Sequence, residues 1–252
     1  ALGGLGENGK NMYCLDINNK IFILDAGLKY PSNELFGVDS IVPDFEYLEQ
    51  NVSRIVGIFL SHGHEDHIGA VPKLLKTVKV PVYASYFTLA LLKDLLTDQG
   101  LNVDDYEYKQ VSCDKSETFG DVSVDFYHVT HSIPESLGIA ISTPDGVIVY
   151  APDFTFDQNV SGAYKTDFVK LSNIAGKKVL ALLVESLGAE RVGQTHNSDA
   201  LDYALNQAFY KAESRIIVSA FSTDLNRIQK IIDISLKYDK NIVIIGRKTQ
   251  RT

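Results

Sequence analysis

The first 150 positions of the chain alternate short apolar runs with turn residues. Seven of these runs are rich in β-branched and aromatic residues, which is typical of strands. The predicted strands are Met12–Ile17, Lys20–Leu24, Ile55–Leu60, Pro81–Ala84, Val122–Val129, Gly138–Ser142 and Gly146–Tyr150. Turn signals such as Asp25-Ala26-Gly27 and Pro144-Asp145-Gly146 lie between them. The pattern therefore predicts that β-structure dominates this part of the chain.

Apolar residues at helical spacing predict four helices. These helices are expected over Ile68–Val78, Thr88–Asp98, Asp199–Ala212 and Leu225–Tyr238. Three more apolar runs, which alternate with the later helices and predict βαβ units, are Val179–Val184, Arg215–Ala220 and Asn241–Ile245. We place a domain boundary at this change of pattern, with a first domain over residues 1–195 and a second over 196–252. The second segment is short for independent folding, so the second domain is expected to be incomplete at residue 252.

Composition and charge narrow the possible functions. The chain has 24 Lys+Arg against 32 Asp+Glu and a net charge of -8, which argues against broad, nonspecific nucleic-acid binding. A bound metal ion could still supply a local positive charge. The only two cysteines, Cys14 and Cys113, are too few for a disulfide framework, so we expect a cytoplasmic protein. No apolar run approaches the roughly 18 residues that span a bilayer, so no membrane partner is expected.

Candidate metal ligands are concentrated in the segment Ser61–His67, directly after a predicted strand. It contains three of the six histidines of the chain. His62 and His64 stand at i and i+2 in an extended segment, so both can face one metal ion. Asp66 and His67 lie at the start of the following helix, where they can face a second ion. A solvated loop that happens to be rich in histidine is the competing interpretation.

Two further candidate ligands, His131 and Asp153, each follow a predicted strand. Asp153 is the natural carboxylate to bridge two ions, although an Asp at this position can also cap a turn. A histidine such as His131, taken alone, is more often structural than a metal ligand. His128 is in phase with the apolar positions of its strand, which predicts a core histidine with its hydrogen bonds satisfied. A mixed imidazole and carboxylate set favours Zn, with Mn as the alternative, over Ca or Mg.

Several motifs resemble the ribonuclease J group of β-CASP nucleases in the metallo-β-lactamase superfamily. The His-x-His-x-Asp-His motif at His62–His67 is shared by many hydrolases of the superfamily. The motifs that narrow the resemblance to this group are Gly3–Asn11, Asp25-Ala26-Gly27, Thr130–Pro134 and Asp153–Asp157. The resemblance implies an α/β fold, a four-layered αβ/βα metallo-β-lactamase sandwich, followed by the start of an inserted α/β β-CASP domain. A further metal-ligating histidine is expected beyond residue 252.

The resemblance also implies a site and a chemistry. His62, His64 and His131 would hold one divalent ion, Asp66 and His67 the other, and Asp153 would bridge them. The implied reaction is two-metal hydrolysis of phosphodiester bonds in RNA, with Asp66 and Asp153 as the catalytic residues.

The expected RNA pocket departs from the family pattern. Ser-Asp-Ser-Thr-Asn is replaced by Val184–Gly188, and the usual amide of a second motif is replaced by Asp224. An acidic group there would tend to repel a phosphate. The remaining candidates for substrate contact are Ser186, Thr223 and Arg247. These departures resemble the less active paralogue that some bacteria keep beside the main enzyme.

The sequence therefore favours a metal-dependent ribonuclease J-like phosphodiesterase, acting in RNA processing and decay with weak 5′-exonuclease activity. Its expected partners are RNA and either further copies of itself or a ribonuclease J paralogue in a hetero-complex. A weakly active or inactive partner subunit is the first alternative. Another hydrolase of the superfamily, acting on thioesters or lactones, is the second.

Overall fold

Two five-stranded sheets form the centre of the computed structural model, which describes residues 1–32, 35–157, 159–160, 162–193 and 198–246. The first sheet has the order β1-β2-β3-β4-β5, with strands Tyr13–Ile17, Lys20–Leu24, Ile55–Phe59, Val82–Ala84 and Tyr108–Gln110. Its β1–β2 pair is antiparallel, and the other pairs are parallel. The parallel strands β2 and β3 therefore end at the same edge of this sheet.

The second sheet has the order β10-β9-β8-β7-β6. In chain order, β6 to β10 are Glu117–Phe119, Val122–His128, Leu137–Thr143, Gly146–Ala151 and Val179–Val184. Pairing is antiparallel except between β9 and β10, which are parallel. The helices α1 to α7 are Glu46–Glu49, Glu65–Ile68, Val71–Leu74, Tyr86–Asp98, Phe168–Ala175, Ser198–Lys211 and Leu225–Lys237.

Alternation along the strands builds three separate apolar layers. Phe22 and Phe59 face the second sheet and pack with Phe126 in the core between the two sheets. Their neighbours on the opposite face of the first sheet, such as Ile58, pack against α3 and α4. The outer face of the second sheet packs against Ile174 of α5. This order of helix, sheet, sheet and helix confirms the predicted αβ/βα sandwich.

The predicted helix over Ile68–Val78 is instead two short helices, α2 and α3. The chain turns at Gly69, where an added Cβ would lie 2.4 Å from the Glu65 carbonyl oxygen. The next amide, of Ala70, donates to the Ala26 carbonyl rather than continuing α2. Close packing against the segment after β2 thus interrupts the single helix that the apolar periodicity predicts.

The later part of the chain differs more from the sequence prediction. The runs Arg215–Ala220 and Asn241–Ile245 are not strands, and β10 is an edge strand whose side chains are mostly exposed rather than buried. Ile217 is 94% exposed, so this run lacks the neighbouring sheet that its composition suits. Residues 194–197, where the domain boundary is predicted, lie outside the described residues. Among the helices of the described residues, none has both the length and the apolar character to cross a membrane.

Candidate metal centre

Strands of both sheets deliver the candidate ligands to one edge of the sandwich. His62 follows β3 of the first sheet, while His131 and Asp153 follow β7 and β9 of the second sheet. The short helix α2 then places Asp66 and His67 beside them. The structure therefore brings all six predicted ligands together, in two groups that share Asp153.

The first group contains His62, His64, His131 and Asp153. Nδ1 of His64 lies 3.2 Å from Nε2 of His62 and 3.1 Å from Nε2 of His131. Oδ2 of Asp153 lies 3.8 Å and 3.6 Å from the same two Nε2 atoms. Zinc bonds of about 2.0–2.1 Å place neighbouring ligand atoms of a tetrahedral site about 3.3 Å apart. The four donors therefore fit a tetrahedral ion.

The second group contains Asp66, His67 and Asp153. Nε2 of His67 lies 3.6 Å from Oδ2 of Asp66 and 3.5 Å from Oδ1 of Asp153. The two carboxylate oxygens of Asp153 thus face different groups, Oδ1 the second and Oδ2 the first. This is the geometry of a bridging ligand. The described residues supply three protein donors to this group, the number found in catalytic zinc sites.

A fully buried carboxylate, Asp25, supports the ligands from beneath. Ser61 donates to it twice, from its backbone N–H to Oδ1 and from its hydroxyl to Oδ2, each at 2.7 Å. The Tyr150 hydroxyl and Nδ1 of His67 also lie 2.7 Å from Oδ2. Asp25 therefore orients His67 and leaves its Nε2 to face the second group.

Burial and neighbouring charges set the protonation of the metal-free ligands. Burial lowers the pKa of His62, and the other histidines of the cluster lower it further. Burial likewise lowers the pKa of His131 to about 4, although Asp153 opposes this. Burial would lower the pKa of His67 too, but Asp25 and Asp153 outweigh it and raise that pKa well above its usual value. Burial works against the charge on Asp153, yet His67 keeps the pKa of that carboxyl below its usual value.

The N-terminal loop contacts the second group through Asn11. Its side-chain Nδ2 donates to the Asp66 carbonyl at 3.1 Å and lies 3.1 Å from Nε2 of His67. This approach requires Gly27, because a Cβ there would lie 1.5 Å from the Asp66 carbonyl oxygen. The sequence interpretation missed Asn11 and Asp25 as site residues. Both residues belong to the motifs Gly3–Asn11 and Asp25-Ala26-Gly27, which are the sequence signal that points to them.

A cavity of about 480 Å³ opens beside the second group. Its walls are the glycine-rich N-terminal loop and the segment Val184–Gly188, and Ser186 is among its lining residues. Three carboxylates besides the candidate ligands line it, those of Glu7, Glu185 and Glu190, and its described lining includes no Lys or Arg. Glu185 accepts a 2.9 Å hydrogen bond from the Phe154 amide, next to Asp153. Burial raises the pKa of Glu185.

Of the other predicted substrate contacts, Thr223 is exposed and contacts the first group through its backbone. Its carbonyl oxygen lies 3.2 Å from Nε2 of His64. Asp224 accepts a 3.0 Å hydrogen bond from the Arg227 amide and pairs with the Arg227 side chain. Arg247 lies outside the described residues.

The prediction of a satisfied core histidine at His128 is wrong, because the residue is only half-buried and its Nδ1 has no hydrogen-bond partner among the described residues.

Comparison with known proteins agrees with this fold and site. Residues 5–176 match the family model described as the metallo-beta-lactamase superfamily, and this match spans most of the chain. The chain therefore belongs to the metallo-β-lactamase superfamily.

Relatives within the superfamily are more specific. The chain is 42% identical over 246 residues to Ribonuclease J 2 of Streptococcus pyogenes, which covers 98% of this chain and 44% of the relative. It is 38% identical over 249 residues to Ribonuclease J 2 of Staphylococcus epidermidis, covering 99% of this chain and 44% of the relative. These relatives confirm the resemblance to the ribonuclease J group. The chain spans less than half the length of these relatives.

Solved structures support the fold alone. A protein of unknown function from Enterococcus faecalis aligns with a TM-score of 0.64 and 17% identity, covering 89% of this chain and 60% of the other. Unliganded yeast PDE1 aligns with a TM-score of 0.52 and 13% identity, covering 94% and 92% of the two chains.

Proposed function

We propose that the protein is a metal-dependent ribonuclease J-like phosphodiesterase that acts on RNA. The observation that carries this proposal is the pair of donor groups sharing Asp153, at the mouth of a cavity large enough for part of a nucleotide chain. The similarity to Ribonuclease J 2 proteins over 98–99% of the chain supports RNA as the substrate.

The donor set suits two divalent ions, which we propose to be Zn, with Mn as the alternative. His62, His64, His131 and Asp153 would hold one ion, and Asp66, His67 and Asp153 the other. Such ions would screen phosphate charge and lower the pKa of a bound water. Screening of this kind lets a site lined by carboxylates accept a polyanion.

The residues of the chain perform the remaining tasks. Asp153 holds the two groups in a fixed relation, since its two oxygens face different groups. Asp66 is more exposed than His67, with 35% of its side chain accessible, so its carboxylate can reach a substrate or a water in the cavity. We assign Asp66 to orienting the nucleophile and accepting its proton. Ser186 lines the cavity and would contact the RNA.

The full-length protein allows a direct test. The rate of cleavage of 5′-end-labelled RNA is measured after removal of metal with EDTA and again after addition of Zn or Mn. We expect metal-dependent cleavage that Asp153→Ala abolishes. The matched control is Asp157→Ala, a nearby acidic change outside both donor groups. Cleavage that survives EDTA, or that survives Asp153→Ala, would contradict the proposal.

The cavity also favours a second candidate, a weakly active partner subunit in a homo-oligomer or in a complex with a ribonuclease J paralogue. Val184 and Leu187 supply apolar side chains to the wall, and the described lining lacks cations. Both features weaken recognition of a 5′-phosphate. Sedimentation of the full-length protein with a more typical ribonuclease J tests this role, and two separate boundaries at micromolar concentration would count against it.

We propose two further assignments that follow from the same relatives. Similarity to Ribonuclease J 2 continues past residue 176, where the superfamily match ends, so residues 196–252 would begin a β-CASP domain after a first domain over 1–195. The same continuity disfavours a thioester or lactone hydrolase. A role in RNA processing and decay would place the protein in the cytoplasm.

A further inference from the structure

The candidate metal-ligating histidines differ in where their second ring nitrogen is held. Nδ1 of His62 lies 3.0 Å from the Ser61 hydroxyl, and Nδ1 of His67 lies 2.7 Å from Asp25. Both partners belong to the β-sandwich. Nε2 of His64 instead has its shorter contact, at 3.2 Å, with the carbonyl oxygen of Thr223, beyond the superfamily match at residues 5–176, while the Ser132 hydroxyl of the sandwich lies 3.5 Å away. The orientation of one histidine thus depends on a distant part of the chain.

The chemistry of this contact decides the tautomer of His64. A backbone carbonyl only accepts hydrogen bonds, and the Ser132 hydroxyl at 3.5 Å can also accept, so the shorter contact with Thr223 places the proton on Nε2 of His64. Nδ1 then has a free lone pair, and it is Nδ1 that lies within 3.2 Å of the Nε2 atoms of His62 and His131. Ligand histidines commonly have their tautomer fixed through the other ring nitrogen in this way.

The segment Phe221–Asn226 is fixed at two points. At the helix end, Asp224 caps α7 by accepting from the Arg227 amide at 3.0 Å, and its own amide donates to the Phe221 carbonyl at 3.1 Å. At the sandwich, the Asn226 amide donates to the Ser132 carbonyl at 3.0 Å, next to His131. Thr223 directly precedes Asp224 and lies inside the turn that the Asp224 amide and the Phe221 carbonyl close. Its position therefore depends on the Asp224 cap.

We propose that Asp224 is a positioning residue for His64, acting through the Thr223 carbonyl. The inference rests on the proposed metal centre for its purpose, but the contact itself exists without metal. It gives Asp224 a role other than repelling phosphate, because its carboxylate is occupied by the α7 amide and by Arg227. The segment before α7 would thereby be coupled to the affinity of the first ion.

Three variants of the full-length protein test this inference. Asp224→Ala removes the cap, whereas Asp224→Asn keeps a side-chain oxygen that caps well. The matched control is Asp167→Ala, because Asp167 caps α5 with a nearly identical backbone (φ -82, ψ 81, against φ -89, ψ 77) and no contact to a candidate ligand histidine is found for it in the described structure. The readouts are the His64 ring ¹⁵N shifts of metal-free protein and the dissociation constant for the first Zn.

We expect metal-free wild type to have His64 protonated at Nε2. In Asp224→Ala, His64 should populate both tautomers, and the dissociation constant for the first Zn should rise about tenfold. Asp224→Asn and Asp167→Ala should match wild type in both measurements. A wild-type His64 protonated at Nδ1, or an Asp224→Ala spectrum unchanged from wild type, would overturn the inference. Wild type that keeps the expected tautomer yet binds no Zn would support the positioning contact and contradict the proposed metal centre.

Discussion

Nδ1 of His67 lies 2.7 Å from Oδ2 of Asp25, and both side chains are almost completely buried. The same oxygen accepts hydrogen bonds from the hydroxyls of Ser61 and Tyr150. One carboxylate therefore joins the end of β3, the end of β9 and the second donor group. Disturbing it should affect both folding and metal binding.

Asp25→Asn should separate this role from simple packing, because it keeps the shape and tolerates the positive φ of 57° at this position. The amide cannot accept all four hydrogen bonds, so at least one buried donor loses its partner. We expect a loss of about 3 kcal/mol in the free energy of unfolding, measured by urea denaturation. The affinity for the second Zn should fall about 10- to 100-fold.

Tyr150→Phe is the matched control for Asp25→Asn. It removes one donor but leaves the contact between Asp25 and His67, so it should cost about 1.5 kcal/mol and leave the second Zn bound. Equal loss of metal in both variants would show that Asp25 acts through general stability alone.

His131 should make the stability of metal-free protein depend on pH. Its pKa is about 4 in the fold and about 6.5 in an unfolded chain, so the unfolded state takes up a proton first as the pH falls. This histidine therefore contributes stability above pH 6.5 that is lost between pH 6.5 and 4, by up to about 3 kcal/mol. The raised pKa of His67 acts in the opposite sense, with stability present below pH 6.5 and lost as the pH rises through that raised value.

Comparison of wild type with His131→Gln isolates the contribution of His131 to the pH dependence of stability, because both proteins contain His67. In EDTA, urea unfolding of wild type should lose more stability than the variant between pH 7.5 and pH 4.5. Parallel curves for the two proteins would contradict the assigned pKa of His131.

The sequence predicted the strands around the site well, because alternation and turn signals are local. All seven early strand predictions are strands in the structure to within one residue at each end, and Asp153 lies where its strand prediction places it. The strands β5 and β6 were missed, since they are as short as β4 but consist mainly of polar residues and give no apolar run. The apolar run 215–220 was predicted as a strand, but a strand also requires a neighbouring strand with which to pair.

The sequence predicts only those site residues whose type and clustering indicate their chemistry. Histidines clustered after a strand indicate metal by composition alone. Asp25 and Asn11 carry ordinary side chains, and their roles depend on contacts across 42 and 56 positions of the chain. The negative charge of Asp224 suggests from sequence that it repels a phosphate, whereas in the structure its carboxylate oxygen caps helix α7. Local pattern does not contain these long-range partners.

Gly27→Ala should displace α2, since the new Cβ would lie 1.5 Å from the Asp66 carbonyl oxygen. Backbone must move to relieve this clash, so we expect a loss of more than 1 kcal/mol in the free energy of unfolding and weaker binding of the second Zn. Gly176→Ala is the matched control, because its Cβ would meet only ordinary contacts at 3.6 Å. That variant should be as stable as wild type or slightly more stable. Crystal structures of both variants would check the predicted shift of Asp66.

The shared position of Asp153 predicts a distinctive pattern of metal loss. Asp66→Ala should remove only the second ion, because the four donors of the first group remain. His131→Ala should lower the affinity for the first ion only, because His131 belongs to the first group alone and the three donors of the second group remain. Asp153→Ala should affect both, leaving three histidines in the first group and two donors in the second. In a protein limited to these 252 residues, the first ion should bind more tightly than the second, since four described donors hold a divalent ion more tightly than three. Elemental analysis and competition with a fluorescent zinc chelator measure the stoichiometry and the two constants. Loss of a single ion from Asp153→Ala, with the other bound as in wild type, would mean that Asp153 does not bridge the two groups.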